Sequence, residues 1–193
     1  MKPVIALTMG DAAGIGPEVC LKAVLSPAVN RCCRAAVVGS ADFLRETAAR
    51  LKIDAPVVPF GCIDAMKFKK GTVPVLDIGG VNLSKVKTGM PSAMCGRASV
   101  DYVKHAASLA LRGDVNGIAT APISKHSVFM AGIHHAGHTE LLERFCGKKA
   151  VMAFAAGTMS ALSSSRSMEL AWKRRLPSVA ATWPGASSTL LST

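Results

Sequence analysis

Aromatic side chains are scarce, at 5% of 193 residues, and acidic residues number 12 against 23 lysines and arginines. With so few aromatics, no basic stripe interleaved with stacking side chains can be drawn, and nucleic acid is not an expected partner. No apolar run approaches the ~20 residues that cross a bilayer, so no membrane partner is expected. Met1-Lys2-Pro3 leads straight into an apolar run without a signal-peptide pattern, and the expected location is cytoplasmic. The six cysteines (Cys20, Cys32, Cys33, Cys62, Cys95 and Cys146) contain no C-x-x-C pair. In a reducing compartment they read as free, mostly buried thiols, and the adjacent Cys32 and Cys33 suit neither a disulfide nor a zinc site. No histidine follows His138.

What is present begins with a formal charge of +11, which favours anionic ligands such as phosphates or nucleotides. Half of the residues are hydrophobic, enough for a real core, and the length suits one domain or one and a half. Residues 4–7 read as a buried strand, 15–25 as a helix and 35–38 as a second strand closing at Gly39-Ser40. Ser40 can cap a helix over 41–51, and 56–59 and 73–76 read as further short strands. A Gly- and Pro-containing loop over 85–96 leads into a helix at about 97–111, with Val100, Val103, Ala107 and Leu111 on one face and Gly113 as its C-cap. A strand at 117–120 turns into another helix through Ala121-Pro122-Ile123-Ser124. Strands alternating with helices at these lengths predict an α/β fold with a mostly parallel sheet flanked by helices.

Three segments carry the chemistry. Residues 8–18 read T-M-G-D-A-A-G-I-G-P-E, a glycine-rich link from strand to helix. Its Gly10, Gly14 and Gly16 permit a tight turn and close approach to a ligand, or serve the fold alone. The dinucleotide pattern G-x-G-x-x-G fails because Val19 holds the third position and no acidic residue closes the second strand. A P-loop fails because Pro17 follows Gly16. Asp11 would stand at the carboxyl end of a strand, where the ligand crevice of such folds lies. In T-A-P-I-S-K (120–125), Lys125 would sit in a first helical turn against the helix dipole. A nearby anion explains that placement, and a solvated lysine is the plainer alternative. In I-H-H-A-G-H-T-E (133–140), the histidine spacing matches no zinc pattern. Thr139 can cap a helix over 140–145, making Gly137, His138 and Thr139 candidates for a phosphate or hydroxyl contact. A surface turn is the alternative there.

Together these segments resemble one family, the 4-hydroxythreonine-4-phosphate dehydrogenases of pyridoxal phosphate biosynthesis. Its members carry T-M-G-D-P-A-G-I-G-P-E, T-[AG]-P-[IV]-x-K and A-G-x-x-x-x-G-H-T-E in that order. Ala12 replaces the usual proline here. The resemblance covers residues 1–158. It implies the fold of isocitrate and isopropylmalate dehydrogenases, truncated, and a homodimer in the intact family. It further implies NAD or NADP, a divalent metal such as Zn, Mg or Co held by three histidines, and a phosphorylated small-molecule substrate. The implied reaction oxidises 4-phosphooxy-L-threonine to a 3-keto acid, which decarboxylates to 3-amino-2-oxopropyl phosphate. Other family members act on related phosphorylated four-carbon acids. Carried onto this chain, Gly137, His138 and Thr139 bind substrate and Lys125 and Asp11 are the catalytic candidates, while no cofactor-binding residue is assigned. A stand-alone phosphate- or nucleotide-binding module is the competing reading.

The family's metal histidines lie downstream of G-H-T-E, the first at a place falling near Met168, so no metal ligand transfers to this chain. From Ser160 onward Glu169 is the sole acidic residue, both tryptophans occur, and serines cluster without apolar periodicity. Read one base out of frame, T-C-N codons for Ser163, Ser164 and Ser165 become N-T-C codons for Val, Ile, Leu or Phe. Met168 then falls where His can be encoded. The expectation is a first domain over 1–117, the start of a substrate and metal domain over 118–158, and a frameshifted or disordered tail over 159–193. A chain so truncated is expected to be inactive.

Overall fold

The computed structural model describes residues 1–134, 137–149, 153–155 and 161–163. β1 (Val4–Thr8) is buried at Val4, Ala6, Leu7 and Thr8, so both of its faces are covered. That is why its sequence is a continuous apolar run rather than an alternating one. It pairs in parallel with β2 (Arg34–Gly39), from Val4 opposite Arg34 to Thr8 opposite Val38. On its other side it pairs in parallel with β5 (Gly117–Thr120), from Ile5 opposite Gly117 to Thr8 opposite Thr120. With β3 (Val57–Phe60) and β4 (Val73–Asp77) the sheet has the order β3-β4-β2-β1-β5, all parallel. The chain leaves β1 toward β2 and later returns to the opposite side as β5. The carboxyl ends of β1 and β5 therefore form the point where strand order reverses, the place where open α/β sheets hold ligands.

Helices α1 (Gly16–Leu25), α2 (Pro27–Cys32) and α3 (Ala41–Arg50) connect the first strands, and α4 (Ala93–Arg112) packs along β1, β2 and β5. Ser40 caps α3 as expected, accepting from Phe43 N at 3.3 Å. Gly113 closes α4 at φ +82°. α1 ends before Ser26-Pro27 as expected, and a further short helix, which the sequence reading did not include, begins at Pro27, whose fixed φ and missing N–H suit a first turn. Two local expectations fail for identifiable reasons. α4 begins at Ala93 rather than near 97, because Ser92 caps it by accepting from Cys95 N at 3.2 Å. Leu111 lies on the last turn, beyond the core, and is 60% exposed.

The main core gathers Ala6, Leu21, Val37, Leu44, Val75 and Tyr102 among others between sheet and helices. A smaller cluster of Val100, Val103, Val128 and Leu141 joins α4 to α5 (Lys125–Met130) and α6 (His138–Cys146). Tyr102 is 1% exposed and donates its hydroxyl to Gly79 O at 2.8 Å. Burial, with Asp77 adding to it, pushes its phenol well above the ordinary range. Tyr102→Phe is expected to cost about 1 kcal/mol, the net worth of one hydrogen bond, read from the urea midpoint. An unchanged midpoint would show that the bond contributes nothing.

Residues 1–148 form one unit and 149–193 a second. In the second, the described residues form a short antiparallel pair, β6 (Ala153–Ala155) with β7 (Ala161–Ser163). Most of the expected tail, 159–193, lies outside the described residues. No helix among the described residues is long and apolar enough to cross a membrane.

Candidate functional site

The glycine-rich loop leaves β1 and is held against the loop that leaves β5. Asp11 N donates to Pro122 O at 3.0 Å. Gly10 has φ +72°, and a Cβ there would lie 2.4 Å from Pro122 O, so only glycine permits this approach. Gly16 is equally constrained, since its Cβ would lie 2.3 Å from Met9 O. That glycine is filled by the fold and does not open toward a pyrophosphate. Gly39, at the end of β2, abuts Met9, with a Cβ position 2.7 Å from Met9 Cβ. The absent ribose carboxylate thus has a packing reason as well.

Asp11 is 3% exposed. Its Oδ1 accepts from Ala13 N at 2.8 Å, an Asx turn that fixes the loop. Its Oδ2 is buried without a partner. An unsatisfied buried carboxylate oxygen is costly, and a donor from a ligand would satisfy it. Beside it lies a cavity of about 250 Å³, lined by Asp11, Gly14, Gly89, Met90, Pro122 and Ser124 among others. The Gly89 segment, read from sequence only as a connecting loop, is brought here by Gly89 N donating to Ala13 O at 2.7 Å. Its glycine and proline were the only hint of a fixed turn.

Ser124 caps α5, accepting from Ser127 N at 3.2 Å, and Lys125 is the exposed first residue of that helix. Lys125 lies against the third segment, because a Cβ on Gly137 would be 3.9 Å from Lys125 Cε. α6 starts two residues earlier than expected. Gly137 is its N-cap, His138 its first residue and Thr139 its second, so Thr139 does not cap the helix. Glycine in extended backbone suffices at that position, which frees the threonine hydroxyl from the capping role assigned to it. His138 reaches back to the Ala121 backbone, and its Nε2 is buried without a partner. Asp11 is thus joined to Pro122, His138 to Ala121 and Lys125 to Gly137, and of these four candidates only Asp11 lines the cavity. His134 lies edge-on to Phe129 at 5.1 Å, and His135 lies outside the described residues.

Burial lowers the His138 pKa below 6.5, with the hydrogen bond to Ala121 opposing that shift. The unfolded chain therefore takes up the proton more readily. His138 contributes no penalty above pH 6.5, and stability is lost as pH falls from 6.5 through the folded-state pKa. His138→Gln is expected to flatten that decline when urea midpoints are compared above and below pH 6.5. Parallel losses in both proteins would contradict the assignment.

Among the described residues no group of three His, Cys, Asp or Glu side chains could hold a metal ion. The described residues do not supply the three-histidine set that the resemblance implies.

A parallel α/β sheet with a crevice at its switch point is the arrangement in which open α/β proteins hold small ligands. Comparison with known families narrows this. The profile of pyridoxal phosphate biosynthetic protein PdxA matches residues 31–172, and the chain belongs to that family. The match runs past residue 158 into the segment whose composition looks foreign. Curated relatives include a protein of Halalkalibacterium halodurans named for D-threonate 4-phosphate dehydrogenase, 36% identical over 141 residues, 73% of this chain and 42% of the relative. The 4-hydroxythreonine-4-phosphate dehydrogenase of Trichlorobacter lovleyi is 34% identical over 146 residues, covering 75% of this chain and 44% of that protein. The crystal structure of a 4-hydroxythreonine-4-phosphate dehydrogenase from Burkholderia phymatum superposes with a TM-score of 0.78 at 31% identity, over 82% of this chain and 48% of that one. The chain therefore spans somewhat under half the length of these relatives.

Proposed function

We propose that this chain carries the substrate-binding part of an NAD(P)-dependent dehydrogenase acting on a phosphorylated four-carbon hydroxy acid. The observation that carries the reading is the meeting of three separate segments at the carboxyl ends of β1 and β5. There three buried polar atoms, Thr8 Oγ1, Asp11 Oδ2 and His138 Nε2, lack partners. Lys125 supplies a cation for the phosphate or carboxylate, and His138 with Gly137 and Thr139 contacts substrate oxygens. Lys125 and Asp11 are the catalytic candidates: the carboxylate accepts the proton of the secondary alcohol and the ammonium faces the developing oxyanion. A nicotinamide cofactor would supply the hydride acceptor.

Two substrates fit this chemistry. 4-Phosphooxy-L-threonine carries an amino group at C2, and D-threonate 4-phosphate carries a hydroxyl there. The second is favoured by the name of the Halalkalibacterium halodurans relative. Residues 1–117 would form a first domain, 118–158 the opening of a substrate domain and 159–193 a disordered or frameshifted tail, the family match extending into it as far as residue 172. The intact protein would be a cytoplasmic homodimer with a divalent metal. This chain would then bind substrate without turning it over. Calorimetric titration with both acids in the presence of a chelator tests this, alongside an assay for NAD(P)H formation. Metal-independent binding without turnover is the expected result. Clear turnover by the purified chain refutes the incompleteness, and binding of neither acid refutes the reading itself.

A further inference from the structure

The opposite end of the sheet holds a second cavity, of about 340 Å³, where β1, β2 and β4 begin. β1 is about 15 Å long at 3.3 Å per residue, so this cavity is well removed from the crevice at the strands' carboxyl ends. Four cations line it, Lys2, Arg34, Lys69 and Lys70, and no carboxylate does. Among the described residues, none of Lys2, Arg34, Lys69 and Lys70 forms an ion pair with a carboxylate.

These cations are positioned by neutral partners. Arg34 Nε donates to Lys2 O at 3.2 Å, and the guanidinium lies 5.2 Å from the Phe68 ring centroid. Stacking fixes the plane of the fork while its other N–H groups stay available. Lys2 Nζ donates to Asn30 O at 2.6 Å. Lys69 and Lys70 stand on a tight turn, closed by Thr72 N to Lys69 O at 3.2 Å. The Thr72 hydroxyl donates to the same oxygen at 2.7 Å, and Gly71 completes the turn at φ +78°. Four cations lining one concave space without a carboxylate among them raise the local positive potential, which an anion would relieve.

We propose that this cavity binds a di- or polyphosphate anion. Four positive charges exceed what a single phosphate monoester would balance, and the volume admits a diphosphate group. Arg34 would engage it through its fork, and Lys69 and Lys70 would close over it as point charges.

The test is calorimetric titration of the full chain with inorganic pyrophosphate at roughly physiological ionic strength, where diffuse attraction is screened within about 8 Å. Three further proteins accompany it. Lys69→Glu/Lys70→Glu reverses the exposed pair, Lys69→Gln/Lys70→Gln neutralises it should the first variant fold poorly, and Lys104→Glu/Lys148→Glu is a charge-matched control outside the cavity lining. The expected result is saturable one-to-one binding, weakened at least about 10-fold by either variant at 69 and 70 and less than about 2-fold by the control. Absence of binding by the unaltered chain overturns the proposal. Equal weakening by the control overturns it too, since net charge alone would then be responsible. Unweakened binding in the variants at 69 and 70 places the anion elsewhere and also overturns it.

Discussion

Gly10→Ala is expected to destabilise the chain by roughly 2–5 kcal/mol and to abolish binding of the phosphorylated acid. Two costs combine. A non-glycine residue held in left-handed backbone costs about 1–2 kcal/mol, and overpacking typically costs about 1–3 kcal/mol. Both apply at Gly10, where φ is +72° and the new Cβ would stand 2.4 Å from Pro122 O. The obstacle is a backbone oxygen, not the tip of a flexible side chain, so relief requires the two loops to separate. Separation breaks the bond from Asp11 N to Pro122 O and displaces Asp11 from the crevice. Urea midpoints and calorimetric titration report the two effects independently. A variant with native stability and undiminished affinity would show that the loops need not touch.

Lys125→Met is expected to leave stability nearly unchanged while weakening the phosphorylated acid about 10- to 150-fold, the range for loss of a charge-assisted hydrogen bond. The lysine is an exposed first residue of α5, and Ser124 supplies the cap without it. Its positive charge opposes the helix dipole, so removing it should not harm the helix. The role proposed for the charge rests on its position beside Gly137. An affinity within about 2-fold of the unaltered chain would return Lys125 to the status of a solvated lysine.

Much of this fold is legible from local pattern alone. The apolar runs of β1, β2 and β4, the serine cap at Ser40 and the glycine stop at Gly113 each depend on neighbours in sequence. What escapes local pattern depends on long-range contact. Gly96 reads as part of a loop, yet it lies within α4. A Cβ there would lie 1.9 Å from Ser127 O, so the glycine marks where α5 crosses. The start of α4 is misread for that reason. Thr139 is a plausible cap by residue type, but the extended backbone at Gly137 takes the position first. The candidate side chains Asp11, Lys125 and His138 could be nominated from their segments. That Asp11 Oδ2 and His138 Nε2 are buried without partners could not, because burial is set by packing from elsewhere in the chain. The contribution of Gly89 to the crevice was likewise beyond sequence reasoning.

The central claim is that three segments distant in sequence form one site for a phosphorylated hydroxy acid. Backbone amide shift mapping during titration with D-threonate 4-phosphate and with 4-phosphooxy-L-threonine tests it most directly. The account predicts that the amides of Gly10, Asp11, Ser124, Lys125, Gly137 and His138 shift together along one saturation curve, while those of Arg34 and Lys69 stay still. Shifts confined to a single segment, or centred on the opposite end of the sheet, would contradict it.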